Sequence, residues 1–391
     1  MILFTITGYL LLAYLTACVL LPFVFSIGAW AISNQKSKNG SSLRKLLVLI
    51  PAYKEDAVIV NSAKLALEQN YPSALYDVVV IADGLKESTL HRLSDLDVNV
   101  LKVSFNRSTK VKALNQALKE VLTLDHEGVV ILDADNVMES NFLKKINAGF
   151  EEGMVAIQGQ RKAKNTNTNM AFLDGASEDI NNHIYCKGAY KVGLSSRLAG
   201  SGMAFKPEIL LNALKNSDAI GGFDKEMELN LTSNGIRIHY VEDAIVYDEK
   251  VSHGKAFTNQ RSRWIQAQYK YLGINIKHGL WKGLIEGNYD YLHKVFVLAL
   301  PPRLLFPFIL LTASFASTII VGFNGITTLL WTLLFLNIVT FIIAIPSFYF
   351  RKENLRKWLS IFIAVHQTIK AISRLSKAKT TFIHTPHGSQ Q

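Results

Sequence analysis

Val129-Val130-Ile131-Leu132-Asp133-Ala134-Asp135 is a run of four large aliphatic residues closed by two acids one position apart. Four aliphatics with no polar break suit a strand buried on both faces. Period-two alternation places both carboxylates on one side of the extended chain, where they can share a cation. Toward the amino end the pattern repeats. Residues 46–50, 77–81 and 99–105 read as strands, and 55–69, 88–96 and 110–122 read as helices. Such alternation predicts an α/β domain with a mostly parallel sheet covered by helices. Asp83, Asp133 and Asp135 fall at strand ends, where open α/β sheets bind ligands.

Outside this domain the chain turns apolar. No charged side chain precedes Lys36, and residues 9–31 can cross an apolar core of about 30 Å at about 1.5 Å per residue. The start carries no cation and the apolar stretch is long, which favours an anchor over a cleaved signal. A second apolar block, uncharged between Arg303 and Arg351, is interrupted by Gly322-Phe323-Asn324-Gly325 and reads as a hairpin crossing twice. Lys36, Lys38, Arg44 and Lys45 follow the first span, and Arg351, Lys352, Arg356 and Lys357 follow the third. By the positive-inside rule the domain and the carboxyl tail are cytosolic, in an integral protein of the plasma (inner) membrane.

The expected organisation is a transmembrane helix at 1–33, a basic linker at 34–45, the catalytic domain at 46–254, interfacial helices at 255–300, the hairpin at 301–350, and a basic tail at 351–391. Within that tail, residues 359–369 suit an interfacial helix. The net charge of +11 lies largely beside the spans, which argues for anionic lipid as its partner and against nucleic acid. Cys18 and Cys186 supply no disulfide framework or thiolate site, and His183, His239 and His253 lack zinc spacing.

Five further segments accompany the acidic pair: Pro51-Ala52-Tyr53-Lys54-Glu55, Ala82-Asp83-Gly84, Lys110 with Ala113-Leu114-Asn115, Gly200-Ser201-Gly202, and Gln260-Arg261-Ser262-Arg263-Trp264. In this order, over roughly residues 46–270, they resemble glycosyltransferase family two, especially processive members such as cellulose and hyaluronan synthases. The resemblance implies a GT-A type domain that transfers a sugar from a UDP-sugar with inversion. It implies donor contacts at Pro51, Ala52, Tyr53, Glu55, Asp83, Lys110, Asp133, Gln260 and Arg263, and a divalent metal, Mg2+ or Mn2+, on Asp133 and Asp135. Gly200, Ser201, Gly202 and Trp264 would face the acceptor. On a helix, Gln260, Arg263 and Trp264 share one surface.

The base is less settled, because the family's acidic motif is altered here to Asp224-Lys225-Glu226-Met227-Glu228-Leu229. Glu226 takes the base position, with Asp224 and Glu228 as alternatives. Asp135 and Glu226 are therefore the expected catalytic pair. The expected product is a β-linked polysaccharide, with single-sugar transfer to a lipid as the alternative, since ceramide glucosyltransferases are similarly arranged. Export of a polymer past three spans would need a homodimer or a partner protein.

Overall fold

The computed structural model describes residues 2–32, 42–217, 219–250 and 254–373. Lys36, Lys38, His253 and the last part of the basic tail lie outside the described residues.

The sheet has eight strands: β1 (Lys45–Tyr53), β2 (Tyr76–Asp83), β3 (Asn99–Val103), β4 (His126–Ile131), β5 (Val137–Met138), β6 (Ala156–Ala163), β7 (Met203–Phe205) and β8 (His239–Asp248). Their order is β3-β2-β1-β4-β7-β6-β8-β5. Strands β1 to β4 pair in parallel, as do β6 and β8, while β7 lies antiparallel between β4 and β6. This GT-A-like sheet is thus mixed, with the expected parallel half at its amino end. Residues 46–50 are fully buried in β1, because both faces are covered by apolar clusters. Ile59 and Phe142 pack on one side, and Leu114 and Leu210 on the other.

The helices follow expectation with trimmed ends. Residues 55–69 yield a helix only over Ile59–Ala66, and 110–122 one over Lys110–Glu120, capped by the Thr109 hydroxyl, which accepts from Lys112 N–H at 3.2 Å.

Among the described residues two helices are long and apolar enough to cross a membrane, Ile6–Ala31 and Gly325–Ala344. The hairpin expected at 301–350 forms, but its first arm, Phe306–Val321, has 16 residues. That is about 24 Å at 1.5 Å per residue, short of a 30 Å core. The first apolar helix also docks on the α/β domain. Phe25 is buried against Ile184, and a Cβ at Gly188 would lie 2.3 Å from the Phe25 carbonyl oxygen, so only glycine permits this approach. Cys18 and Cys186 are buried and unpaired.

Candidate active site

A cavity of about 520 Å³ opens outside the carboxyl ends of β1, β2 and β4. All nine residues expected to touch the donor line it, together with Asp135 and Trp264. Parallel pairing sets Tyr53 level with Asp83, so the ends of β1 and β2 form one wall. Just beyond, Lys54 takes a left-handed backbone (φ 56°) and its N–H donates to the Asp83 carbonyl at 3.0 Å. Asp56 ties the neighbouring loops by accepting from Lys86 N–H (2.8 Å) and the Thr89 hydroxyl (2.6 Å).

The acidic pair is not arranged as strand alternation predicts. The Leu132 N–H donates to the Leu49 carbonyl, the extended chain ends there, and Asn136 N–H returns to the Asp133 carbonyl at 3.1 Å. A turn therefore presents Asp133, partly exposed, and Asp135, buried, to the same cavity. Asn136 is fully buried behind them. With its amide oriented to suit its neighbours, it donates to Asp135 Oδ1 (3.1 Å) and Asp248 Oδ1 (3.0 Å) and accepts from the Ser201 hydroxyl at 2.7 Å.

Gly200, Ser201 and Gly202 do not line the cavity. Ser201 is fully buried, and its hydroxyl accepts from Asp133 N–H at 2.9 Å, so this run braces the acidic turn from behind. Gln158 on β6 holds it there, accepting from Ala199 N–H (2.8 Å) and donating to the Ser201 carbonyl (3.0 Å). Lys110 bridges the two segments: its ammonium pairs with Asp133 and donates to the Gly200 carbonyl at 2.8 Å.

Of the three candidate bases, Asp224 alone lines the cavity. A Cβ at Gly200 would lie 3.9 Å from the Asp224 Cβ, which puts Asp224 beside the bracing loop. Glu226, the position favoured by motif alignment, points elsewhere and accepts from the Ser217 hydroxyl. Glu228 is committed to Leu198 N–H (2.7 Å) and Lys294 Nζ (3.3 Å). The altered motif starts a helix, Phe223–Ser233, whose turn rotates successive acids to different faces, and of the alternatives it is Asp224 that comes to the cavity. Gly222 caps that helix at φ 70°, where a Cβ would meet Ala267 at 2.7 Å.

Gln260, Arg263 and Trp264 share the cavity-facing surface of the helix Gly254–Leu284. Gln260 Oε1 is buried with no hydrogen-bond partner among the described residues, an acceptor open toward a ligand. Arg261, between them, pairs with Asp174 at 3.0 Å and lies 4.8 Å from the Trp264 ring, steadying the indole.

Below the acidic turn is a buried charge network that no local motif announced. Arg161 and Lys250 both pair with Asp248, and Lys250 reaches Glu178 at 3.6 Å. Burial alone would raise the Glu178 carboxyl, but Lys250, Arg161 and Arg197 outweigh it and hold it down at about 2. Arg161, Asp248 and Glu178 come from β6, β8 and the helix Asn169–Asn181, and Lys250 lies just past the end of β8, all distant in sequence from the acidic turn.

Two hard carboxylate donors at the cavity wall fit a Mg2+ or Mn2+ ion. Among the described residues no cluster of three or more His, Cys, Asp or Glu side chains exists, so such an ion would complete its shell with diphosphate oxygens and water.

The sequence profile of "Glycosyltransferase like family 2" matches residues 44–267. The chain belongs to this family. A curated relative, beta-monoglucosyldiacylglycerol synthase of Trichormus variabilis, is 27% identical over 251 residues, covering 60% of this chain and 51% of that protein. A probable glycosyltransferase, YdaM of Bacillus subtilis, is 22% identical over 242 residues, covering 58% and 56%. The chain thus spans about half the length of the curated relatives it matches. Among solved structures, the mannosyltransferase PcManGT from Pyrobaculum calidifontis, in complex with GDP-Man and Mn2+, superposes with a TM-score of 0.59 at 19% identity. That match covers 94% of this chain and 98% of PcManGT, and it establishes the shared fold.

Proposed function

We propose that this family 2 enzyme transfers one sugar from a UDP-sugar to a hydroxyl of a membrane lipid at the cytosolic face. The observation carrying this reading is the course of the cavity. Beyond the acidic turn and Asp224 its lining includes Val297, Leu300, Pro301, Pro302 and Leu304, apolar residues at the foot of the hairpin, with Arg303 among them. A lipid tail would be sheltered there, whereas a hydrated polysaccharide would gain nothing from it. The glucosyldiacylglycerol synthase relatives favour the same branch over the polymer reading.

The helix Ile361–Ser373 supports a membrane setting. It turns Ala364, Thr368 and Ala371 inward and leaves Phe362, Ile363 and Ile369 exposed, as an apolar surrounding allows.

In the proposed reaction, Tyr53 and Asp83 flank the nucleotide base, and Gln260, Arg263 and Lys110 hold the diphosphate. A divalent cation on Asp133 and Asp135 would neutralise the leaving charge. Asp224 takes the proton of the acceptor hydroxyl as its oxygen bonds to the anomeric carbon, and UDP departs from the opposite face. Trp264 offers its indole face to the sugar ring.

The test supplies full-length protein with a panel of UDP-sugars and two hydroxyl-bearing lipids, dioleoylglycerol and dioleoylphosphatidylglycerol, in mixed micelles, with products read by mass spectrometry. A singly glycosylated lipid is expected. Chains of many sugars would return the polymer reading, and activity only with GDP-sugars would overturn the donor assignment.

A further inference from the structure

The cations of the cavity are almost all committed. Lys110 pairs with Asp133, Arg161 and Lys250 with Asp248, and Arg261 with Asp174. Arg303 donates to neutral oxygens, Asn181 Oδ1 at 2.8 Å and the Ser177 carbonyl at 3.0 Å. Two differ. The Arg197 guanidinium and the Lys225 ammonium line the cavity, yet make no hydrogen bond or ion pair among the described residues.

Both are partly buried, and burial has a cost for them. It pulls the Lys225 ammonium below its ordinary pKa. Arginine has no such escape, because it stays charged in proteins. Burial opposes the charge of Arg197 too, but the fields of Glu178, Asp224 and Glu228 outweigh it and keep it cationic. None of these acids is in contact: Glu178 is bound to Lys250, Glu228 to Leu198 N–H and Lys294, and Asp224 is the proposed base.

Their position separates them from the donor. Arg197 and Lys225 also line a smaller chamber of about 40 Å³, where Glu228, already paired with Lys294, and His293 stand beside Tyr185, Leu229, Val297 and Leu298. None of the residues that face the donor base or the acidic turn reaches it. The pair therefore stands where the polar cavity meets the apolar wall, on the acceptor side of Asp224.

We infer that Arg197 and Lys225 bind a phosphate group carried by the lipid acceptor, next to the hydroxyl that receives the sugar. The inference rests on the lipid-acceptor reading and names its headgroup. A guanidinium fork matches two phosphate oxygens and an ammonium supplies a point charge, while the alkyl chain follows Val297, Leu298 and Leu300. A neutral diacylglycerol would cover both cations and leave them without an anion.

The test reads binding without turnover. Full-length protein in dodecyl maltoside is titrated with dodecyl phosphate, with dodecanol, and separately with UDP and GDP, following unfolding temperature. Dodecyl phosphate is expected to bind at least about tenfold tighter than dodecanol. Arg197→Gln and Lys225→Gln should each weaken it about tenfold, the loss of one charge-assisted contact, while nucleotide affinity changes less than about twofold. Arg197→Lys should recover part of the loss. If Arg197→Gln fails to fold, Lys225→Gln carries the comparison, since its ammonium supports no other residue. Equal binding of the two alkyl probes overturns the inference. A parallel loss of nucleotide and dodecyl phosphate also overturns it, by assigning the cations to the donor. Because no turnover is measured, a polymer product in the transfer assay would sink the lipid-acceptor reading by a separate route.

Discussion

Replacing Asp224 with Asn removes a carboxylate while keeping its size, and replacing Glu226 with Gln does the same two positions on. Asp224 lines the cavity and makes no side-chain hydrogen bond among the described residues, so its charge is available to an acceptor hydroxyl. Loss of a general base lowers turnover by roughly 10² to 10⁴, which at about 1.4 kcal/mol per decade raises the barrier by about 3 to 5 kcal/mol. Glu226 lies off the cavity with its carboxylate on the Ser217 hydroxyl. Its amide replacement should cost about 1 kcal/mol of stability, lowering the unfolding temperature by a few degrees, and leave turnover within about threefold. The assay is UDP release under saturating donor and acceptor, with UDP affinity measured in parallel to show that the donor site is intact. The reasoning is refuted if Glu226→Gln abolishes turnover while Asp224→Asn leaves it near the parent value. It is equally refuted if Asp224→Asn lowers UDP affinity as much as turnover, since a base acts on the acceptor.

Chelation of divalent ions and Asp135→Ala are both expected to remove more than about 99% of transfer, because the diphosphate would lose its counter-charge; full activity in chelator would exclude the metal. Asp290 accepts from Ser195 N–H at 2.7 Å, and although burial raises its carboxyl, His293 and Ser195 hold it at about 2. With a folded value below the unfolded one near 3.8, it stabilises the protein by about 2 kcal/mol above pH 4, and the contribution fades as pH falls toward 2. Thermal unfolding of Asp290→Asn against the parent should show a gap at pH 7 that narrows by pH 2.5; a constant gap would contradict the assignment.

How much was legible follows the range of each interaction. The parallel half of the sheet was readable because residues 46–50 and 129–132 are unbroken aliphatic runs, and burial on both faces requires nothing else. Strands β6, β7 and β8 escaped attention: β6 ends in Gln160-Arg161-Lys162, and β7 has only three residues. The surface formed by Gln260, Arg263 and Trp264 was predictable from helical spacing, and the three do face the cavity. Gly200-Ser201-Gly202 was visible as a motif but not as a brace, because its work is done through Asp133, Asn136 and Gln158, up to 68 residues away.

By itself, the sequence determined the α/β class, the strand ends that carry Asp83 and the acidic pair, and the apolar segments. Each depends on neighbours a few positions apart, where backbone period and hydrophobicity act directly. Only the tertiary structure decided which acid lines the cavity, since Asp224, Glu226 and Glu228 lie within five residues and differ by their rotation about one helix. It also decided that Arg197 and Lys225 have no carboxylate in contact among the described residues while Arg161, Lys250 and Arg261 do. Pairing of buried charges depends on which side chains arrive within about 4 Å, and that distance is set by packing between elements far apart in the chain.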